Sequence, residues 1–416
     1  MDRKMGVNWK QNLVMLWASQ ILIMSGFSAM APFVPLYFKN GLNITDKGDL
    51  AFYVTMFNLC GSLAYAIFLP IWGKLSDRYG VKIMLLRGTF LACFMFPLMG
   101  YVSAGWLIFI RFLSAACAGT TAASQLMIVR TTPDNRQGFA LGAFSTAVWG
   151  GAMLGYVLGG LIIARFSYLF AFWMCGILYF ISGIFVLFTK DDPELLKIKI
   201  KTNRRKRLSD MLPKFTRAVW LLMILFVVTS FVRQFEIPYI ALKVEEMTSK
   251  ATAAYWTGII SAVVCGGAIV SGVINGWLCD IVPVKKMITP IFMLSAMGLF
   301  FQGYVNNIIG FTVARTLLYL AAGGISPLLQ KVLSGATPRK KRGSVFGFSS
   351  TANGIGNMVS SVVSGWTFAY CSLSSIFYIA AVLSILLIPF IFYIFRIVRQ
   401  DPYYRAHNAQ AVKKAA

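Results

Sequence analysis

The feature that most restricts this chain is a sequence that repeats itself once at long range. Thr132-Pro133-Asp134-Asn135-Arg136-Gln137-Gly138, leading to Leu141-Gly142, returns 205 positions later as Thr337-Pro338-Arg339-Lys340-Lys341-Arg342-Gly343, leading to Phe346-Gly347. Gly73-Lys74-Leu75-Ser76-Asp77 returns as Gly276-Trp277-Leu278-Cys279-Asp280, and Arg111 returns as Arg315. Met30-Ala31-Pro32-Phe33 is loosely repeated as Glu236-Ile237-Pro238-Tyr239. In a strongly apolar chain, a repeat on this scale predicts duplicated membrane-embedded halves with a binding site at their interface.

The chain is apolar enough for that reading: 58% of its residues are hydrophobic, 13% are charged, and its mean hydropathy is +0.70. Such values lie far from those of a soluble domain. Apolar runs between breaks give twelve candidate spans, starting near Leu13, Ala51, Ile83, Trp106, Phe139, Tyr168, Ala218, Ala254, Met287, Ile308, Ser344 and Ser375. The predicted fold is all-α integral membrane, with twelve transmembrane helices in two pseudo-symmetric six-helix bundles, residues 1–189 and 218–396. A basic linker, 190–217, joins them, and a short tail, 397–416, follows.

The net charge of +25 would point a soluble protein toward nucleic acid, so the position of the basic residues decides its meaning. With the amino terminus inside, 31 of the 39 Lys and Arg fall in cytoplasmic segments. Outer loops hold only Lys39, Lys47, Arg165, Lys243 and Lys250, and three arginines lie within spans. This asymmetry predicts both termini in the cytoplasm. It makes the charge a topology signal with some attraction to anionic lipid, and nucleic acid is not an expected partner. The linker, with Asn203-Arg204-Arg205-Lys206-Arg207, reads as a solvated tether. The first apolar run follows Arg3, Lys4 and Lys10 but continues without a small-residue cleavage site, and is expected to be a retained span. Seven scattered cysteines without CxxC spacing read as apolar fillers.

The sharpest local motif is Gly73-Lys74-Leu75-Ser76-Asp77-Arg78-Tyr79-Gly80-Val81-Lys82, expected in the loop between spans two and three. Glycines permit a tight turn, while Asp77 and neighbouring cations can form a charge latch that breaks when a gate opens. The second copy keeps Asp280, Lys285 and Lys286 but carries Ile281 and Pro283 where the first has Arg78 and Gly80. The motif resembles the G-x-L-x-D-R-x-G-x-K/R signature of the major facilitator superfamily, which implies that Asp77 lies near a helix end. In span five, Gly142, Gly151, Gly155, Gly159 and Gly160 resemble that family's antiporter pattern, whose spacing lets two backbones pack closely. Tyr156 stands where the pattern has proline, so the kink that proline would impose is not implied.

Charges within spans are costly and therefore informative. Arg233 and Glu236, three apart on span seven, are expected to share a helical face and pair, with Glu236 as the clearest embedded acid. The single histidine, His407, is in the tail, so a proton relay has to rest on Glu236, with Asp77 or Asp280 at the gates. Arg111 and Arg315 occupy matching places in the outer third of spans four and ten; each can line a cavity or snorkel to the interface. If all three arginines face the cavity, its net charge is positive and favours anionic or zwitterionic cargo. Asn353, Asn357, Ser360 or Ser361, and Ser364 form a polar stripe on span eleven, expected to line the cavity or to bond another helix. Asn58, Ser62 and Gln125 are weaker candidates of the same kind.

No phosphate loop, nucleotide cassette or metal-ligand cluster is legible, so no cofactor, metal or enzymatic activity is expected; transport would run on ion gradients or by facilitated diffusion. The twelve spans, the duplication and the Gly-Asp motifs together resemble the major facilitator superfamily over nearly the whole chain. Asn8-Trp9-Lys10-Gln11-Asn12-Leu13 and Pro32-Phe33-Val34-Pro35-Leu36-Tyr37 look like its MdtG-type bacterial multidrug exporters, a drug:proton antiporter branch. The resemblance implies a monomeric secondary active transporter of the bacterial inner membrane, exporting drugs or related small molecules by alternating access against inward proton flow. Two alternatives remain open: a transporter of a specific anionic metabolite, such as a siderophore, organic acid or phosphorylated compound, and a non-transporting membrane receptor.

Overall fold

The computed structural model describes residues 8–133, 136–191, 216–282, 284–337, 342–398 and 400. Asn203 to Arg207 of the linker, His407 in the tail, and the Asp134-Asn135 and 338–341 portions of the repeat lie outside them. So do the side chains of Asp77, Arg78, Asp280 and Lys285, although their backbones are helical.

The described chain is built from α1 (Trp9–Met30), α2 (Lys47–Tyr79), α3 (Val81–Met99), α4 (Ala104–Cys117), α5 (Thr120–Thr131), α6 (Gln137–Arg165), α7 (Tyr168–Leu187) and α8 (Arg217–Gln234), then α9 (Ile240–Met247), α10 (Lys250–Ile281), α11 (Val284–Tyr304), α12 (Ile308–Ala322), α13 (Ile325–Gly335), α14 (Arg342–Tyr370) and α15 (Leu373–Val398). Predicted and observed starts coincide at Tyr168 and Ile308 and differ most where Leu13, Ala51 and Ala254 were expected and Trp9, Lys47 and Lys250 are found. Among the described residues, ten stretches are long and apolar enough to cross a bilayer. The predicted tenth span falls short because it is broken, leaving α12 only 15 residues long. α14 has 29 residues, but its serines, glycines and two asparagines dilute the apolar content.

The expected loop around Gly73 is not a loop. α2 continues through Tyr79, and Gly80 alone separates it from α3, turning the chain at φ +96°. Gly80 N caps the helix by donating to Ser76 O at 3.1 Å. A residue with a Cβ is strained at that φ, so one glycine does the work assigned to a longer turn. Lys82 then ties α3 to the end of α7. Its N donates to Asp191 Oδ2 at 2.9 Å, and its Nζ donates to Leu187 O at 2.6 Å.

Four spans are interrupted, at matching points of the repeat. α1 ends at Met30 and passes into a 3-10 turn, Ala31–Phe33, containing Pro32; α8 ends at Gln234 before the equivalent turn, Ile237–Tyr239, containing Pro238. The fourth span breaks at Gly119, φ +116°, between α4 and α5. The tenth breaks at Gly323-Gly324, between α12 and α13. A backbone carbonyl freed inside a membrane must find another donor. Trp72 Nε1 reaches Ala116 O at 2.5 Å and Arg87 Nη2 reaches Cys117 O at 3.1 Å, whereas at the second break Asn275 Nδ2 reaches Ala321 O at 3.2 Å.

The residues fall into two compact units, one of Met1–Arg205 with Val244–Ala262, the other of Lys206–Lys243 with Val263–Ala416. In the first, α6 lies on α1 through glycine: a Cβ at Gly151, Gly155 or Gly159 would collide with the backbone of Ile21, Ser25 or Ala29. Both rows step by four residues, one ridge against one groove. Gly160 meets Ala254 and Gly258 of α10 in the same way, while Gly142 faces open space.

Candidate functional site

The second unit holds a small, partly open cavity of about 40 Å³. Its walls include Arg233 from the last turn of α8, Glu236 from the bend beyond it, Ser295 from α11, Tyr319 from α12 and Ser384 from α15. The seventh span supplies the acid because its helix stops at Gln234, and Glu236 sits at φ −95°, ψ −20° ahead of the Pro238 turn. The continuous helical register expected to put Arg233 and Glu236 on one face therefore ends between them.

Glu236 is only 2% exposed, and Arg315 Nη1 donates to its Oε2 at 2.7 Å. The same Nη1 donates to Gln302 Oε1 at 2.9 Å, and the guanidinium lies 5.3 Å from the Tyr319 ring. Arg315 is thus neither snorkelling nor solvated: it is 3% exposed, held by a carboxylate, an amide and an aromatic face. Charges taken from water cost several kcal/mol each, and an ion pair repays this only when its remaining donors are met.

Arg111, in the first unit, has different company. Its guanidinium lies 5.3 Å from the Phe27 ring and 5.0 Å from that of Phe57, and its buried Nε has no hydrogen-bond partner among the described residues. Gly61 leaves it room, since a Cβ there would sit 2.7 Å from Nε.

The polar stripe of α14 is divided. Ser230 Oγ of α8 donates to Asn353 Oδ1, Ser360 Oγ donates to Phe231 O at 2.7 Å, and between them a Cβ on Gly356 would strike Val227 O. That face bonds α8 rather than lining an open cavity. Asn357 is half-buried, and its carbonyl accepts from Ser361 at 2.9 Å. Asn58 turns inward on its own helix, donating to Val54 O at 2.9 Å, and Gln125 is exposed.

Several polar residues were not singled out from sequence. Gln302 is fully buried beside Arg315, and Gln20 of α1 is fully buried with Nε2 donating to Thr121 at 2.9 Å. Glu245 of α9 is ion-paired to Lys39 at 2.5 Å and accepts from Asn40 at 2.6 Å. A signal for that last pair existed: the offset that aligns Pro32 with Pro238 aligns Lys39 with Glu245. Among the described residues, no group of three or more metal-ligating side chains occurs.

The chain can now be set beside known proteins. The profile of the Major Facilitator Superfamily matches residues 16–274 and 238–415. Multidrug resistance protein MdtG of Klebsiella pneumoniae (strain 342) is 27% identical over 380 residues, 90% of this chain and 91% of that protein. Multi-drug resistance efflux pump PmrA of Streptococcus pneumoniae serotype 4 is 28% identical over 370 residues, 86% of this chain and 90% of the pump. The structure of the nucleoside transporter NupG is similar with a TM-score of 0.75 at 13% identity, covering 92% of this chain and 100% of that one. The inward-open xylose transporter XylE from E. coli gives 0.67 at 14% identity, covering 92% and 96%. With broken helices at matching points of a long-range repeat, a buried ion pair on a cavity wall, and a family profile that spans nearly its whole length, this multi-pass membrane protein belongs to the Major Facilitator Superfamily of secondary transporters.

Proposed function

We propose that the protein exports lipophilic, drug-like compounds across the bacterial inner membrane in exchange for protons, with Glu236 as the residue that takes and releases the proton. The observation that carries this is the Glu236–Arg315 ion pair, buried on the wall of a cavity and located where α8 breaks. A carboxylate in such a place alternates between an ionised state held by Arg315 and a neutral state that releases it, which is the exchange a proton-driven carrier needs. The names of the MdtG and PmrA relatives support efflux of several drugs. In this reading residues 1–189 and 218–396 form two six-helix bundles working by alternating access, as a monomer with both termini in the cytoplasm. The Gly73–Lys82 and Gly276–Lys286 segments, with Asp77, Arg78 and Asp280, act at the cytoplasmic gate.

Arg111 favours a second reading, transport of an anionic metabolite, because its buried Nε has no partner among the described residues and is available to an acidic group. Purified protein in liposomes with an imposed pH gradient separates the two. Gradient-driven ethidium flux, lost in Glu236→Gln, is expected for drug:proton exchange. Flux restricted to small organic anions, including a carboxylate siderophore, would overturn it in favour of the second.

A further inference from the structure

Gln302 is fully buried on α11, and its amide is fixed by two bonds of opposite sense. Nε2 donates to Gly298 O, one turn back, at 3.1 Å, which aims Oε1 at Arg315 Nη1, 2.9 Å away. Turning the amide over would set its NH2 group against the guanidinium and lose both bonds. A buried amide is costly unless its atoms are used, and packing alone does not require one here. The offset that aligns Val81 with Val284, the first residues of α3 and α11, pairs Gln302 with Met99, which is equally buried and has no amide. What distinguishes the second position is that Nη1 of Arg315 faces two acceptors, one that carries charge and one that never does.

We infer that Gln302 is a positioning residue for proton exchange, holding the Arg315 guanidinium in place while Glu236 passes between its charged and neutral forms. The inference rests on the proton-exchange reading of Glu236 proposed above. When a proton binds the carboxylate, the Coulomb attraction to Arg315 is lost, yet Nη1 keeps the neutral Gln302 acceptor and the guanidinium keeps the Tyr319 face. Arg315 then stays while Glu236, on the bend after α8, is free to move. When the proton leaves, the carboxylate finds its partner in the same position. Among the described residues, the ionisable groups beside the pair include Arg233 on the cavity wall and Tyr319 on α12, which in turn neighbours Cys265 on α10; Ser295 and Ser384 are polar but do not titrate in this range.

The test is the pH profile of ethidium flux in the same liposomes for wild type, Gln302→Met, Gln302→Glu and Glu236→Gln. Gln302→Met copies the Met99 position and removes the neutral acceptor, so the carboxylate carries more of the guanidinium and needs more protons to release it. The pH of half-maximal rate is expected to fall by about one unit. Gln302→Glu places a second carboxylate on the same nitrogen, and the profile is expected to rise by about one unit. A purely packing role would move both variants the same way or leave both profiles in place, and either result overturns the inference even where Glu236→Gln has flattened the pH dependence. A Glu236→Gln protein that keeps the wild-type profile removes the proton-exchange reading itself, and the role of Gln302 with it.

Discussion

Around Arg315 the second unit gathers a carboxylate, a primary amide and the face of Tyr319, whereas around Arg111 the first unit offers the rings of Phe27 and Phe57 and the space left by Gly61. The two arginines are counterparts in the repeat, so their settings can be compared position by position. The offset that aligns Pro32 with Pro238 makes Met30 the counterpart of Glu236 and Phe27 that of Arg233, and Met99 is the counterpart of Gln302. Glu236, Arg233 and Gln302 thus each correspond to an apolar residue in the first copy. Duplication kept the helix breaks and the arginine, and among the described residues the ion pair to a carboxylate is found at Arg315. A carboxylate pairs with the second arginine through charge, while ring faces meet the first through their quadrupoles.

The largest effect expected from this difference is on stability. Glu236→Leu leaves Arg315 buried beside Gln302 without its carboxylate, and removing one partner of a buried pair costs about 3–5 kcal/mol. Adding Arg315→Met should restore most of that loss. Arg111→Met, which breaks no ion pair seen in the structure, should change stability by far less or raise it. Denaturant or thermal unfolding of the purified variants in detergent reads all three. An Arg111→Met loss as large as that of Glu236→Leu would erase the distinction between the two sites.

A smaller contrast lies in how the halves bring helices together. Gly155 of α6 and Ser360 of α14 are counterparts at the offset of the Thr132 and Thr337 repeat. The first lets α6 touch the Ser25 backbone; the second donates to Phe231 O across α8 and α14. Gly155→Ala should cost about 1–3 kcal/mol through overpacking against backbone that cannot yield. Ser360→Gly should cost about 0.5–1.5 kcal/mol, the worth of one hydrogen bond. The reverse order, in the same unfolding assay, would mean that close backbone packing is not what glycine supplies in α6.

Helix positions were legible because apolar runs and proline or glycine breaks are local properties, and the close-packed glycines of α6 were legible as a spacing. The contact of Glu236 with Arg315 was not: the two are 79 positions apart, on different spans, and the helix that carries Arg233 ends at Gln234, short of the acid. Gln302 escaped notice because its counterpart is Met99, so a reading guided by the repeat had no reason to stop there. Asn353 shows the opposite limit: its polar rhythm was visible, but whether such a stripe faces water or a neighbouring helix depends on Ser230 of α8, which no periodicity in α14 encodes.

The smallest expected effect comes from the second ion pair, and it tests whether burial is what sets the Glu236–Arg315 pair apart. Lys39 and Glu245 are themselves counterparts in the repeat, and their side chains are 35% and 5% exposed, against 4% and 3% for Arg315 and Glu236. Glu245→Gln keeps an acceptor for Asn40 and removes only the charge, while Lys39 can turn to water. The loss should be about 0.2–1 kcal/mol at low salt, as for pairs that retain solvent contact. At 1 M salt, where the screening length falls to about 3 Å, that loss should shrink toward zero while the Glu236→Leu deficit persists, because buried charges are screened far less. Equal salt sensitivity of the two variants would mean that water and ions reach Arg315 as freely as Lys39, and the second unit's arginine would then resemble an exposed cation more than a buried switch.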